Sequence, residues 1–301
     1  MSFLYINLGN TANFTDEVRI AAGVLAFSQC CEIIIEPNIA LYEVAAKSGN
    51  KVANNEVSKF RLIDNCNPRI LADIALGYPA NNLKSLTIPN NISSNEDIDF
   101  TVPLKIWRRN YVLALKVAAL ALEGGRMEIL TEKLFDWMYS TYLFIAPSTI
   151  LALCYFSPNS PKRGLFKKIK SSNRELAIEG IKNATWDLTL IHEWIKNVRN
   201  QSKKNTINIL GSLDKKLHTI ARNIFVFMDN EELIDTYRCE IFERQWGINP
   251  NSHLYSKITQ YYSDSENSDR LANRVHDQPT IDDLILIGEH EIRKWRPRKC
   301  S

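Results

Sequence analysis

Between Ile181 and Val198 apolar residues recur at spacings of three and four, placing Ile181, Ala184, Ile191, Trp194 and Val198 on one side of a helix. Asp187 falls on that same side, where an unpaired carboxylate would be costly to bury. After the polar turn Asn200–Asn205 the pattern switches to a strand-like Thr206-Ile-Asn-Ile-Leu210, and Gly211-Ser-Leu-Asp214 opens another helix. The beginning of the chain reads in a similar way. Phe3–Ile6 is a short apolar strand that runs into the turn Asn7-Leu-Gly-Asn10. Thr15 caps a helix with Asp16 and Glu17 in its first turn, on a stripe of Ile20, Val24 and Phe27 that ends near Ser28. The continuous Ile33-Ile-Ile35 run makes Glu32–Glu36 a second strand, buried on both faces. Pro37 starts the next helix, on which Glu43 shares a face with Ile39, Ala40 and Ala46.

Strand, helix, strand, helix in this order predicts a parallel sheet, an α/β fold. From 51 to 171 the pattern is helical. Val57–Leu83 reads as helical pieces, Leu104–Leu122, Glu128–Tyr142 and Ser148–Phe156 as helices, and Asn90–Asp99 as a polar loop. Helix and strand then alternate again from Ser172, with Ile224–Met228 as one more strand. Glu231–Trp246, Leu254–Tyr262 and a segment opened by Thr280 are the final helices, with Ser263–Asn267 as a polar linker. The expected organisation is an α/β core from 1–50 and 172–228, a helical insertion over 51–171 and a helical extension over 229–301.

Composition changes this picture little. Of 301 residues 45% are hydrophobic and 24% charged, and the net charge of +3 is too small to announce a nucleic-acid partner. The six cysteines show no metal-ligand spacing, and Met1–Tyr5 lacks a basic leader with a long apolar run, so a reducing cytoplasm is expected. Trp137–Ser157 carries no charge and precedes Lys162-Arg163 and Lys167-Lys168, the pattern of a membrane span with positive flanks. Pro147, Pro158 and many hydroxyl residues favour two buried helices instead.

Four positions carry the candidate chemistry. Asn7 follows the first strand, Glu43 lies on the helix after the second, Asp187 is on a late helix, and Asp214 stands in Ser212-Leu-Asp214 after a late strand. This ordered set resembles the PIN-domain ribonucleases, whose pattern is Asp, Glu, Asp and a Thr/Ser-x-Asp turn at one edge of a parallel sheet. The steps from Asn7 to Glu43 and from Asp187 to Asp214 are similar to those of that family. The resemblance covers the first fifty residues and Asn173–Met228. It implies a PIN-like sheet flanked by helices, and a metal-dependent endoribonuclease of toxin or defence type. Single-stranded RNA would be its substrate, with a protein inhibitor or a second copy of the chain as further partners. Hard Mg²⁺ or Mn²⁺ prefers such carboxylate oxygens and would orient water at a phosphodiester. Asn7 departs from the pattern: it offers a carbonyl oxygen but no charge. That substitution favours the alternative, a catalytically inactive module that binds RNA or protein.

Other chemistry is thinner. Arg270-Leu-Ala-Asn-Arg-Val-His276 matches the Arg-x₄₋₆-His motif of HEPN-type ribonucleases, but with Leu271 where a polar residue is usual. His192 and His218 read as ordinary helix residues. Glu43 and Asp187 could equally pair with neighbouring side chains in a purely helical interaction scaffold. Lys162, Arg163, Lys167, Lys168 and Lys170 form a basic run, and Arg293–Lys299 forms a second. Such runs are mostly solvated surface, yet beside a cleft they supply the electrostatics of phosphate binding, with Ser212 as a further candidate contact.

Overall fold

A computed structural model describes residues 14–78, 98–142, 153–159, 165–200, 206–211, 217, 221–222, 243, 246–247, 252–265 and 279–296. Thr15 opens the first helix, α1 (Asp16–Cys30), its Oγ1 accepting the Val18 N–H at 3.4 Å. α2 (Asn38–Ser48) begins behind Pro37, and Gly49 separates it from α3 (Asn50–Asp64). At φ +92° that hinge is strained for any side chain. α4 (Pro68–Leu76) is capped by Asn67, whose Oδ1 accepts the Arg69 N–H at 2.9 Å, and it closes on left-handed Gly77.

These four helices form one unit. The described residues divide between Pro103 and Leu104. In the first unit Ala22, Leu25 and Ala26 of α1 pack with Ile63 of α3 and with Leu71 and Ile74 of α4. Leu41 and Ala45 of α2 meet Ala53 and Val57 of α3 around Phe100. Asn54 fixes the Phe100 segment by donating to the Ile98 carbonyl at 2.9 Å and accepting the Ile98 N–H at 3.0 Å. The Phe100 N–H is taken up by Asn50 Oδ1 at 2.9 Å.

The second unit is built on α5 (Lys105–Glu123), whose Leu113, Leu115, Val117 and Ala118 are fully enclosed. Around it stand α6 (Met127–Ser140), α7 (Arg174–Arg199) and α9 (Ile281–Lys294), while α8 (His253–Ser265) packs on α6. Leu134, Phe135 and Met138 of α6, Ile178 and Ile181 of α7, and Ile292 of α9 complete one continuous core. At the crossing of α9 with α5, a Cβ on Gly288 would come within 2.9 Å of the Leu115 Cβ, so that approach requires glycine. A capping box, in which Thr280 and Asp283 bond reciprocally, starts α9.

The expected PIN-like parallel sheet is overturned: among the described residues there is no strand. Glu32–Glu36 leads out of α1 by folding back on it. The Cys31 N–H bonds the Phe27 carbonyl at 3.0 Å and the Ile33 N–H bonds the Ser28 carbonyl at 2.8 Å, with Glu32 at φ +55°. Those bonds close the helix end rather than a sheet ladder. Ile34 is left 87% exposed, and Ile35 packs on the α1–α4 cluster. Thr206–Leu210 is likewise irregular. It is tied to α7: Trp194 Nε1 donates to the Asn208 carbonyl at 3.2 Å, and Asn208 Nδ2 donates to the Asn197 main-chain carbonyl at 3.2 Å. The expected strands Phe3–Ile6 and Ile224–Met228 lie outside the described residues.

α1, α2, α5 and α6 fall near their expected positions. The expected Val57–Leu83 stretch is divided between α3 and α4, and most of Glu231–Trp246 lies outside the described residues. α1 also presents a different face. Ile20, Val24 and Phe27 are exposed, and the small residues Ala21, Ala22 and Ala26 are buried with Leu25. Small side chains let the α1 and α4 backbones approach closely, which the larger stripe would prevent. α8 continues through Ser265, into the segment expected to be a linker. Of the uncharged segment Trp137–Ser157, residues 143–152 lie outside the described ones, and α6 ends at Ser140. Among the described residues no helix is long and apolar enough to cross a membrane.

Candidate polyanion-binding surface

Of the expected carboxylate positions, Glu43 and Asp187 fall among the described residues. Glu43 lies on α2 of the first unit, where Lys47 Nζ holds its Oε1 at 2.6 Å. This is an i,i+4 pair on one helix face. Asp187 lies half-buried on α7 of the second unit. Asn7, Asp214 and Ser212 fall outside the described residues, as do Lys162 and Arg163. Among the described residues no group of three or more His, Cys, Asp or Glu side chains could hold a metal ion.

Lys167, Lys168 and Lys170 are exposed, and their position follows from the start of α7. Asn173 caps that helix, its Oδ1 accepting the Glu175 N–H at 3.1 Å. The first helical residue is Arg174, an unfavourable charge at the positive end of its own helix dipole. Its side chain is directed elsewhere. Nε donates to the Ile292 carbonyl at 2.9 Å, in the last turn of α9, where a cation is favoured. Nη1 donates to the carbonyls of Ile169 and Ser171 at 2.8 and 2.7 Å. The Trp295 indole covers the guanidinium with its ring centre 4.7 Å from Cζ.

Arg174 thereby ties the 167–170 turn to the end of α9, joining two basic runs that are far apart in sequence. Arg293 is neutralised there by Glu175, at 2.7 and 3.3 Å, and by Glu289 at 3.0 Å. Hydrogen bonds from Arg293 hold the Glu175 carboxyl below the usual carboxylate range. Lys167, Lys168, Lys170, Lys294 and Arg296 are exposed and have no ion-pair partner among the described residues. Burial, and then the nearby Arg296, push the Arg174 guanidinium below its ordinary pKa. The result is a corner of concentrated positive charge with an indole beside it.

The pattern of residues singles out neither Arg174 nor Trp295. The available signal is the cap itself, an Asn followed by an arginine at the first helical position, where acidic residues are preferred.

A second polar cluster lies further along α7. Thr189 Oγ1 donates to the Thr185 carbonyl at 2.8 Å and accepts from Asn110 Nδ2 at 3.2 Å. That orients the Asn110 amide so that its Oδ1 faces His192 Nδ1, 3.4 Å away. The network assigns the proton of neutral His192 to Nδ1. Burial lowers the His192 pKa; Glu193 opposes the shift, and Arg109, Lys196 and Arg199 reinforce it. Sequence pattern treats His192 as an ordinary helix residue; its neighbour Asn110 is distant in the chain and buried.

Comparison with protein-family models, with curated proteins and with solved structures finds no match for this chain.

Proposed function

We propose that this protein is a helical module that binds single-stranded RNA at the corner formed by the 167–170 turn and the end of α9. The observation that carries this reading is Arg174, which draws two basic runs together and leaves five exposed cations there without counter-ions among the described residues. Phosphate neutralisation by lysine and arginine releases condensed counter-ions and supplies most of the affinity for a polyanion. A half-buried indole at the same corner adds a surface on which a base can stack.

The metal-dependent endoribonuclease reading gains no support of this kind. The parallel sheet that was to gather Asn7, Glu43, Asp187 and Asp214 is absent among the described residues, and the Glu43 carboxylate is engaged by Lys47.

Fluorescence anisotropy of a labelled single-stranded RNA, followed against salt concentration, tests the binding reading. Each phosphate contact contributes about 0.7 to the slope of log affinity on log salt. Replacing Lys167, Lys168 and Lys170 by glutamine should therefore weaken binding and flatten the slope by about 2. An unchanged affinity and slope would return these lysines to solvated surface.

A further inference from the structure

Arg174 is only 7% exposed, and its Nη2 is buried with no hydrogen-bond partner among the described residues. Nε and Nη1 are spent on three main-chain carbonyls, and no carboxylate pairs with the guanidinium among the described residues. A buried cation with an unused donor is an uncommon residue of folding, because charge is seldom enclosed without a partner anion. The aromatic cover over it is Trp295, which sits beyond the end of α9 in extended conformation, half-buried, with its Nε1 bonded to the Leu122 carbonyl at 3.0 Å. Lys167, Lys168 and Lys170 on the turn that Arg174 holds, and Lys294 and Arg296 on either side of Trp295 in the chain, are exposed.

We propose that the Arg174 guanidinium beneath Trp295 is a site for a terminal phosphate monoester, taken at the end of a nucleic-acid strand. This rests on the RNA-binding reading of the same surface. The exposed cations draw the anion in. The Trp295 indole turns aside, giving up one hydrogen bond and one cation–π contact, and Nη2 donates to a phosphate oxygen. A dianion gains more than a diester from a cation held at low dielectric. The geometry also selects an end over an interior linkage. Passage beside a single indole admits one phosphate with chain on one side, whereas an internal phosphodiester brings chain on both.

The test uses the full chain and two RNA strands of one sequence, one with a 5′-phosphate and one with a 5′-hydroxyl, with inorganic phosphate as competitor. Tryptophan fluorescence and anisotropy are read together. The phosphorylated strand should bind about tenfold more tightly, the effect of one charge-assisted hydrogen bond to a shielded group. Its binding should change tryptophan emission, and inorganic phosphate should reverse that change. Trp295→Phe should abolish the emission change, and Arg174→Lys should remove the preference for the phosphorylated end. If Arg174→Lys fails to fold, the Trp295→Phe protein and the two strands still decide. Equal affinity for both strands, with binding still weakened by the lysine substitutions, would overturn the phosphate site and leave RNA binding standing. No binding of either strand would remove the RNA reading and this site with it.

Discussion

Gly180 of α7 packs directly on the main-chain carbonyl of Lys167, so closely that a Cβ at this position would overlap the Lys167 oxygen. Lys168 follows in the left-handed region at φ +58°, and the turn closes with the Ser171 N–H bonding the Lys168 carbonyl at 2.9 Å. One missing side chain on a helix thus sets where three lysines stand.

Gly180→Ala should therefore act on the surface as well as on stability. A forced overlap with backbone costs about 1–3 kcal/mol, and relief requires the 167–170 turn to move away from α7. The expected outcome is a lower Tm together with weaker RNA binding. A control substitution at exposed Glu179 should lower neither. Thermal melts paired with anisotropy separate the two, and unchanged melting in Gly180→Ala would refute the close packing.

His192 should make stability depend on pH in a defined direction. Its folded pKa lies below the ordinary value near 6.5 because burial penalises the imidazolium. Above 6.5 both folded and unfolded chains hold it neutral. As pH falls below 6.5 the unfolded chain takes up the proton first, so stability declines until the folded pKa is passed. His192→Gln should flatten the fall in Tm between pH 7 and pH 5. Parallel slopes for the two proteins would show that other groups govern that range.

Gly288 marks the crossing of α9 over α5, against Leu115. Gly288→Ala gains intrinsic helix propensity, worth about 1 kcal/mol, yet places a methyl against an enclosed core side chain. The crowding should win, with a net loss of about 1–2 kcal/mol in chemical denaturation. A more stable variant would mean that the two helices can separate without cost.

The Glu43–Lys47 pair offers a check on the metal expectation. An exposed i,i+4 pair contributes about 0.3–0.5 kcal/mol, so Glu43→Ala should change stability little and leave RNA binding as it was. Mg²⁺ or Mn²⁺ should give the same Tm shift in both proteins. A metal-dependent rise in Tm that disappears with Glu43 would instead restore that carboxylate as a ligand.

What sequence pattern determined by itself was the helices. Thr15 and Thr280 mark two starts because caps satisfy amides within a few residues, a local transaction that sequence records, and Pro37 marks another through its fixed φ. The 3.6-residue period over Leu104–Leu122 likewise predicted α5 within a residue at each end. Strands were not legible in this way. Ile33–Ile35 and Thr206–Leu210 have strand composition, but a strand exists only through hydrogen bonds to a distant partner; here the Ile33 N–H bonds the end of α1 and the Asn208 carbonyl accepts from Trp194 of α7. Which face of α1 is buried was also decided in three dimensions, since close approach to α4 favoured alanines over the larger stripe. The same holds for the basic surface. Sequence showed two separate positive runs, and only the packing of α7 against α9 placed Arg174 between them. Its buried charge is held by one carbonyl at the end of α9 and two from the turn before α7.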